Sequence, residues 1–283
     1  MLRLEYLLEE AQELGLPVSK KRAILREYLQ TIILNSIYKS DFAPSFYFVG
    51  GTALRFCYNL PRFSEDLDFD TPDLELQGFT DVLERVERAL SLEGFSPVFS
   101  IKRRASLFIA SVTFPAVMSE YGIMNRRGGA LMIKLEVNRP DWPLSTESHV
   151  LSRYGYNFSA IVMSKGALLS EKLAALMSRR RGRYIYDILF MLRKKFPFDR
   201  AVLYASDIRE DPKDLIQRYL SGLTEKELRV LAEQVKPFLF KEDDIELILK
   251  APQYATLYLS GYEKTFSHFL STERKRTKKE PVS

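Results

Sequence analysis

Phe48-Val49 closes a short apolar run that stops at Gly50-Gly51, and Thr52-Ala53-Leu54 then opens a helical pattern ended by Pro61. Fifteen residues after Gly51, Asp66-Leu67-Asp68-Phe69-Asp70 alternates polar and apolar positions, as a half-buried strand does. The two pieces carry different chemistry. Glycine lets a backbone approach a ligand closely. The start of a helix offers free N–H groups and the positive end of its dipole to a phosphate. On a strand, Asp66 and Asp68 share one face, because the side-chain period is two. Two carboxylates that close repel unless a cation neutralises them. A hard divalent ion does so, and Mg²⁺ favours carboxylates together with substrate phosphate oxygens. Asp70 lies on the same face, but Thr71-Pro72 marks the end of the strand. Taken separately, the glycine turn is an ordinary turn and the acids an exposed edge strand; their spacing is what joins them.

A two-metal site calls for a third carboxylate on a neighbouring strand. Residues 131–137, Leu-Met-Ile-Lys-Leu-Glu-Val, supply Glu136 at the end of an otherwise apolar run, with Lys134 on the same face. Outward from this centre, 4–14 and 19–39 read as helices, with Ser19 as a cap for the second. An amphipathic helix is expected over 79–93, and β-prone runs over 95–102, 106–114 and 130–137, the last two as an antiparallel pair. Helices are expected from Ser164 to about Arg180, over about 185–195, and through most of 199–270. Strands thus concentrate early and helices late, which predicts an α+β domain over 1–150, with a helical leading segment 1–40, and a helical domain over 151–283 ending in a basic tail. The break between them is placed in 138–162, around Asn138-Arg139-Pro140-Asp141-Trp142-Pro143.

Composition narrows the chemistry. The chain has 283 residues, 46% of them hydrophobic, so it can bury a sizeable core and is not a disordered polymer. A single cysteine, Cys57, excludes a disulfide framework and a cysteine-rich metal site. With only His149 and His268, a multi-histidine site is excluded as well. No apolar stretch of about 18 residues is present, and the acidic start does not read as a secretory signal, so a cytoplasmic protein with no membrane contact is expected. The net charge of +5 is modest, but Arg179-Arg180-Arg181-Gly182-Arg183, Arg193-Lys194-Lys195 and the tail 274–279 concentrate it. Such clusters serve either as solvated faces or as phosphate contacts.

Gly50-Gly51-Thr52-Ala53-Leu54 with Arg62-x-Ser64-x-Asp66-Leu67-Asp68-Phe69 resembles the nucleotidyltransferase signature of the AbiEii/AbiGii toxin family, which includes the MenT-like toxins of the DNA polymerase β-like superfamily. Ser170-Glu171-Lys172-Leu173-Ala174-Ala175-Leu176, leading into Arg183-Tyr184-Ile185-Tyr186-Asp187-Ile188, is similar to the family's second block; Tyr184 stands where an Asp is common. The resemblance spans roughly residues 45–195. It implies a nucleotidyltransferase-type mixed sheet flanked by helices. It further implies that Gly50, Gly51 and Thr52 hold a nucleoside triphosphate, that Arg62 and Ser64 shape that loop or touch phosphate, and that Asp66, Asp68 and Glu136 bind Mg²⁺ (or Mn²⁺). Lys172 would place its charge on the β- and γ-phosphates, with Asp187 orienting it or the nucleotide.

The function implied is a metal-dependent nucleotidyltransferase toxin of a toxin–antitoxin or abortive-infection (phage-defence) system, moving a nucleoside monophosphate from an NTP to RNA. The 3′ end of tRNA is the leading acceptor, with Arg179, Arg180, Arg181 and Arg183 as candidate RNA contacts and a separately encoded antitoxin as partner. The motif is shared by enzymes that modify a protein hydroxyl instead, and an inactive RNA-binding regulator would keep the scaffold while losing the acids or the lysine. Asp66, Asp68, Glu136 and Lys172 are all present. Oligomeric state is not encoded in these patterns.

Overall fold

The computed structural model describes residues 1–73, 75–104, 107–124 and 129–262. His268 and the basic tail 274–279 lie outside the described residues. The elements run α1 (Leu4–Glu13), α2 (Lys21–Tyr38), β1 (Tyr47–Val49), α3 (Gly50–Tyr58), β2 (Leu67–Asp70), α4 (Leu76–Leu92), β3 (Val98–Arg104), β4 (Leu107–Phe114), α5 (Val117–Glu120), β5 (Leu131–Asn138), β6 (Thr146–Arg153) and β7 (Tyr156–Met163). Helices follow: α6 (Lys165–Ser178), α7 (Gly182–Arg193), α8 (Arg200–Ala205), α9 (Pro212–Ser221), α10 (Glu225–Val235), α11 (Glu246–Leu249) and α12 (Ala251–Leu259). The chain divides into two compact units. The first is Met1–Leu168 together with Phe238–Glu242; the second is Leu169–Pro237 with the segment from Asp243 onward.

The first unit is built on a seven-stranded mixed sheet, ordered β3-β4-β5-β2-β1-β7-β6 among the described residues. The expected α+β architecture is present, and β4 pairs antiparallel with β5 as the sequence predicts. Position 150 falls inside β6, so the sheet continues past the expected boundary. The hairpin β6–β7 was not foreseen: exposure alternates along the edge strand Thr146–Arg153, but Glu147, His149 and Arg153 take the more covered positions and Val150 faces solvent, which hides its period in the sequence. Ser19 does not cap α2; that helix starts after Lys20 with no side-chain cap.

One face of the sheet is closed. Leu67 and Phe69 of β2, Leu135 and Val137 of β5 and Phe108 and Ala110 of β4 are all buried on it. Helix α2 packs against α1, α4, β5 and β7, which buries it on nearly every side. That position explains why polar residues within it are buried as well. Glu27 is 1% exposed and accepts from Arg55 Nε of α3 at 2.7 Å, with Arg55 itself 3% exposed. The Arg55 guanidinium also stacks on the Phe240 ring, 4.7 Å from its centroid. Arg153 lies near enough to Glu27 for the acid to hold its proton on, against burial that pulls its pKa down. One buried acid thus balances two buried guanidinium groups.

In the second unit the helix starts are set by local chemistry. Asp199 accepts from the Ala201 and Val202 amides at the head of α8, and Asp211 precedes Pro212 at the head of α9. Thr224 and Glu227 form a capping box on α10.

Removing one partner of a buried ion pair costs about 3–5 kcal/mol. Arg55→Ala is expected to lower Tm by roughly 6–12 °C. Glu27→Ala is expected to cost more, since it leaves two buried cations without their acid. Thermal unfolding of the two variants followed by circular dichroism checks the order; equal or reversed losses would show that Glu27 does not serve both arginines.

Candidate active site

The strand β1 delivers Val49 in extended conformation, and Gly50 then takes φ +77° to turn into α3. A Cβ at Gly50 would collide with the Asp68 carboxylate and lie 3.0 Å from its Cβ and Cγ. The Asp68 side chain therefore leans directly over the first residue of the helix. Gly51 has the same requirement for a different reason: a Cβ there would sit 2.7 Å from both Arg62 Nη2 and Ser64 Oγ. The Thr52 side chain is fully buried and donates from Oγ1 to the Asp66 carbonyl at 2.5 Å. Its hydroxyl thus ties the helix start to the loop entering β2. A ligand at this corner would meet the backbone N–H groups of the first helical turn rather than the threonine oxygen.

Arg62 was expected to shape the loop or touch phosphate. The structure shows it 3% exposed, with Nη1 donating to the Phe63 carbonyl at 2.8 Å. It braces the loop from inside, with Ser64 beside it over Gly51.

Strands β2 and β5 run parallel, and Asp68 pairs in register with Glu136. Register partners project on the same side, so these two carboxylates stand side by side on the sheet face opposite Leu67 and Phe69. Glu136 is half-buried and makes an ion pair with Lys134 at 3.2 Å on the same face. Asp66 lies one residue ahead of β2, with its carbonyl fixed by Thr52. Among the described residues, no three Asp, Glu, His or Cys side chains gather tightly enough to enclose a metal ion by themselves. Mg²⁺ is typically held by one or two carboxylates with phosphate and water completing six positions. The adjoining carboxylates of Asp68 and Glu136 fit that mode of binding, and the missing Cβ of Gly50 is what lets the Asp68 carboxylate lie against the helix start.

The loop between corner and acids is held by residues that motif reading passed over. Buried Gln30 of α2 donates from Nε2 to the Ser64 and Glu65 carbonyls at 3.2 and 3.0 Å. Arg26 pairs with Glu65 at 2.8 Å. The returning segment Phe238–Glu242 straps the same loop: the Phe63 amide donates to the Phe238 carbonyl, the Phe240 amide to the Pro61 carbonyl, and the Phe63 and Phe240 rings meet at 4.9 Å. Polar residues inside the apolar pattern of α2 were the available signal; the strap had none, because it lies some 175 residues away in the chain.

In the second unit, α6 and α7 are separated by a short break at 179–181, and the chain folds back. Lys172 Nζ reaches Asp187 Oδ2 at 3.3 Å, with Asp187 fully buried. Lys172 also lies over the Tyr184 ring, whose neighbour Arg183 approaches the same ring at 5.8 Å. Ser170 accepts from the Asp199 amide at 2.8 Å. Among the basic cluster, Arg179 and Arg180 are exposed, Arg181 and Arg183 half-buried, and Arg180 is engaged with Glu227. Cys57 offers no nucleophile, since burial pushes its thiol pKa up to about 12. His149 is a surface contact of Glu147 and Tyr58.

Gly50→Ala is expected to leave the fold intact at a cost of about 1–2 kcal/mol for the positive φ, while displacing the Asp68 carboxylate. Nucleotidyl transfer should fall by more than tenfold while the circular dichroism spectrum is unchanged. Full activity in this variant would show that the position of Asp68 over the corner is immaterial.

The fold has known counterparts. JHP933 from Helicobacter pylori superposes with a TM-score of 0.55 at 21% identity, covering 89% of this chain and 97% of that one. MenT4, a nucleotidyltransferase toxin from Mycobacterium tuberculosis H37Rv, superposes with a TM-score of 0.59 at 17% identity, covering 90% of each chain. At those identities the likeness is one of fold. No curated protein matches the sequence. The family model described as "Nucleotidyl transferase AbiEii toxin, Type IV TA system" matches residues 32–269, taking in the glycine corner, the acid pair and the Lys172–Asp187 pair. The chain therefore belongs to the AbiEii family of nucleotidyltransferase toxins.

Proposed function

We propose that the protein transfers a nucleoside monophosphate from an NTP to the 3′ end of an RNA, with tRNA the leading acceptor, in a Mg²⁺-dependent reaction countered by a separately encoded antitoxin. The observation that carries this reading is the register pairing of Asp68 with Glu136 beside the Gly50 corner. An anion-binding helix start next to two adjoining carboxylates suits a triphosphate brought in as its magnesium complex. Membership of a Type IV toxin–antitoxin family supports the antitoxin. Among the described residues no helix is long and apolar enough to cross a membrane.

Residue roles follow from position. The amides of Gly51 and Thr52 bind phosphate oxygens at the helix start. Asp68 and Glu136, with Asp66 next to them in sequence, are the candidate ligands for Mg²⁺. When bound, the ion neutralises phosphate charge and favours the hydroxyl nucleophile. The acceptor hydroxyl attacks the α-phosphorus, the bond from that phosphorus to the bridging oxygen breaks, and pyrophosphate leaves. The proton of the hydroxyl passes to a carboxylate of the acid group. Lys172, held by Asp187, is the candidate cation for the charge that grows on the leaving pyrophosphate. Its ammonium is pre-positioned by a buried carboxylate, which limits its rotamers.

The test is incubation of the protein with each labelled NTP, Mg²⁺ and either purified tRNA or total protein, read on gels. Label in tRNA is expected; label confined to protein would overturn the RNA reading. Asp68→Asn should abolish transfer with the fold retained, and full activity would remove Asp68 from the ligand set. Lys172→Ala should lower kcat by about 10²-fold or more. A change in NTP affinity alone would show that Lys172 does not act at the transition state.

A further inference from the structure

The acid pair does not stand alone on its side of the sheet. Its neighbours can be read strand by strand from the registers. Asp68 pairs with Glu136, Glu136 with Ile109, and Ile109 with Lys102. The next row toward the C-terminal end of β5 runs Asp70, Asn138, Leu107, Arg104. The row on the other side runs Lys134, Ser111, Ser100. Burial alternates accordingly. Phe108, Ala110, Val112 and Phe114 of β4 are buried on the closed face, while Leu107, Ile109, Ser111 and Thr113 between them keep solvent contact. Arg103 turns to the closed face, where it lies 5.5 Å from the centroid of the Phe108 ring. Lys102 and Arg104, its neighbours on either side, therefore point to the same face as the acids and are exposed.

On this surface β4, in the middle, carries small or aliphatic residues and β3, at the far edge, carries cations. From β2 to β3 is three strand spacings, about 14 Å. At about 3.4 Å per nucleotide in a stacked strand, that is room for some four nucleotides. Its charge has a direction: the carboxylates lie at one end, and Lys102 and Arg104 close the other. A polyanion is repelled by the first end unless the carboxylates are neutralised, and attracted by the second. A free 3′ end delivered to the acids while its upstream phosphates reach the cations satisfies both.

We propose that the open face of β5, β4 and β3 is the track for the acceptor strand, with Lys102 and Arg104 gripping phosphates a few nucleotides upstream of the reacting hydroxyl. This rests on the reading of RNA as acceptor. The contacts are to phosphate, so the track sets where the end of the strand lies and carries no sequence preference.

The test compares wild type with Lys102→Glu/Arg104→Glu, and with the milder Lys102→Gln/Arg104→Gln, at saturating NTP and varied tRNA. Both positions are on an exposed edge strand, and circular dichroism confirms folding. The expected result is a rise in KM for tRNA of at least tenfold in the charge-reversed protein. The neutral variant should show a smaller rise, with kcat at saturating tRNA and KM for NTP within twofold of wild type. The dependence of log KM on log salt should also flatten by about 1.4 in the neutral variant, about 0.7 for each lost single-strand phosphate contact. Unchanged KM and salt slope in a wild type that does label tRNA would overturn the track alone. A wild type that labels only protein would overturn the RNA reading and the track with it.

Discussion

The close approach of the Asp68 carboxylate to the backbone of Gly50 is the constraint from which the rest of the site follows. It requires a residue without a Cβ at the end of β1, a positive φ there, and a second strand bringing its acid over the helix start. The sheet meets these demands by placing β2 antiparallel to β1, so that Val49 and Asp68 are register partners. It then places β5 parallel to β2, which adds Glu136 to the same face. An acid and a helix N-terminus held this close make a site that is attractive to a phosphate only when a cation comes with it. Under the proposed reading, that geometry would favour a metal-bound triphosphate over free phosphate.

Holding that geometry is costly, and the neighbouring core is polar where it does so. Gln30 and Arg26 reach from α2 to the loop before Asp66, and Thr52 reaches the same loop from α3. Glu27 fixes α3 to α2 through Arg55. A buried helix carrying charged and amide groups is less stabilising than an apolar one, since each group must be matched to avoid a desolvation penalty. What it contributes is a single position for α3 relative to β2. The Lys172–Asp187 pair in the second unit follows the same rule, with a fully buried acid fixing a lysine ammonium.

The glycine corner, the two-residue spacing of Asp66 and Asp68, and the third acid on 131–137 were legible because each is local and periodic. Asp187 was foreseen as a partner for Lys172, and the break at 179–181 gives the turn that brings them together. The β6–β7 hairpin was not legible, since the more covered positions of 146–153 include Glu147, His149 and Arg153 and the exposed ones include Val150, so polarity does not follow burial there. Arg62 was expected to shape the loop or touch phosphate, and Thr52 to help hold a triphosphate; the side chains of both face inward and brace the loop. A motif marks which residues the corner needs, but not whether they touch the ligand or the scaffold. Glu27 and Gln30 showed only as polar residues inside the apolar pattern of α2, and Phe240 not at all, because their partners lie far away in the chain.

The return of Phe238–Glu242 to the first unit has a consequence for how the protein is made. Chains emerge from the ribosome N-terminus first, and domains settle in that order. Here the loop at Pro61–Phe63 takes backbone partners from residues 238–240, so the first unit is discontinuous in sequence. It stays unfinished until most of the polypeptide has been translated. A nascent toxin therefore lacks its final brace while still attached to the translation machinery, and shortening the gene from its 3′ side removes part of the N-terminal fold.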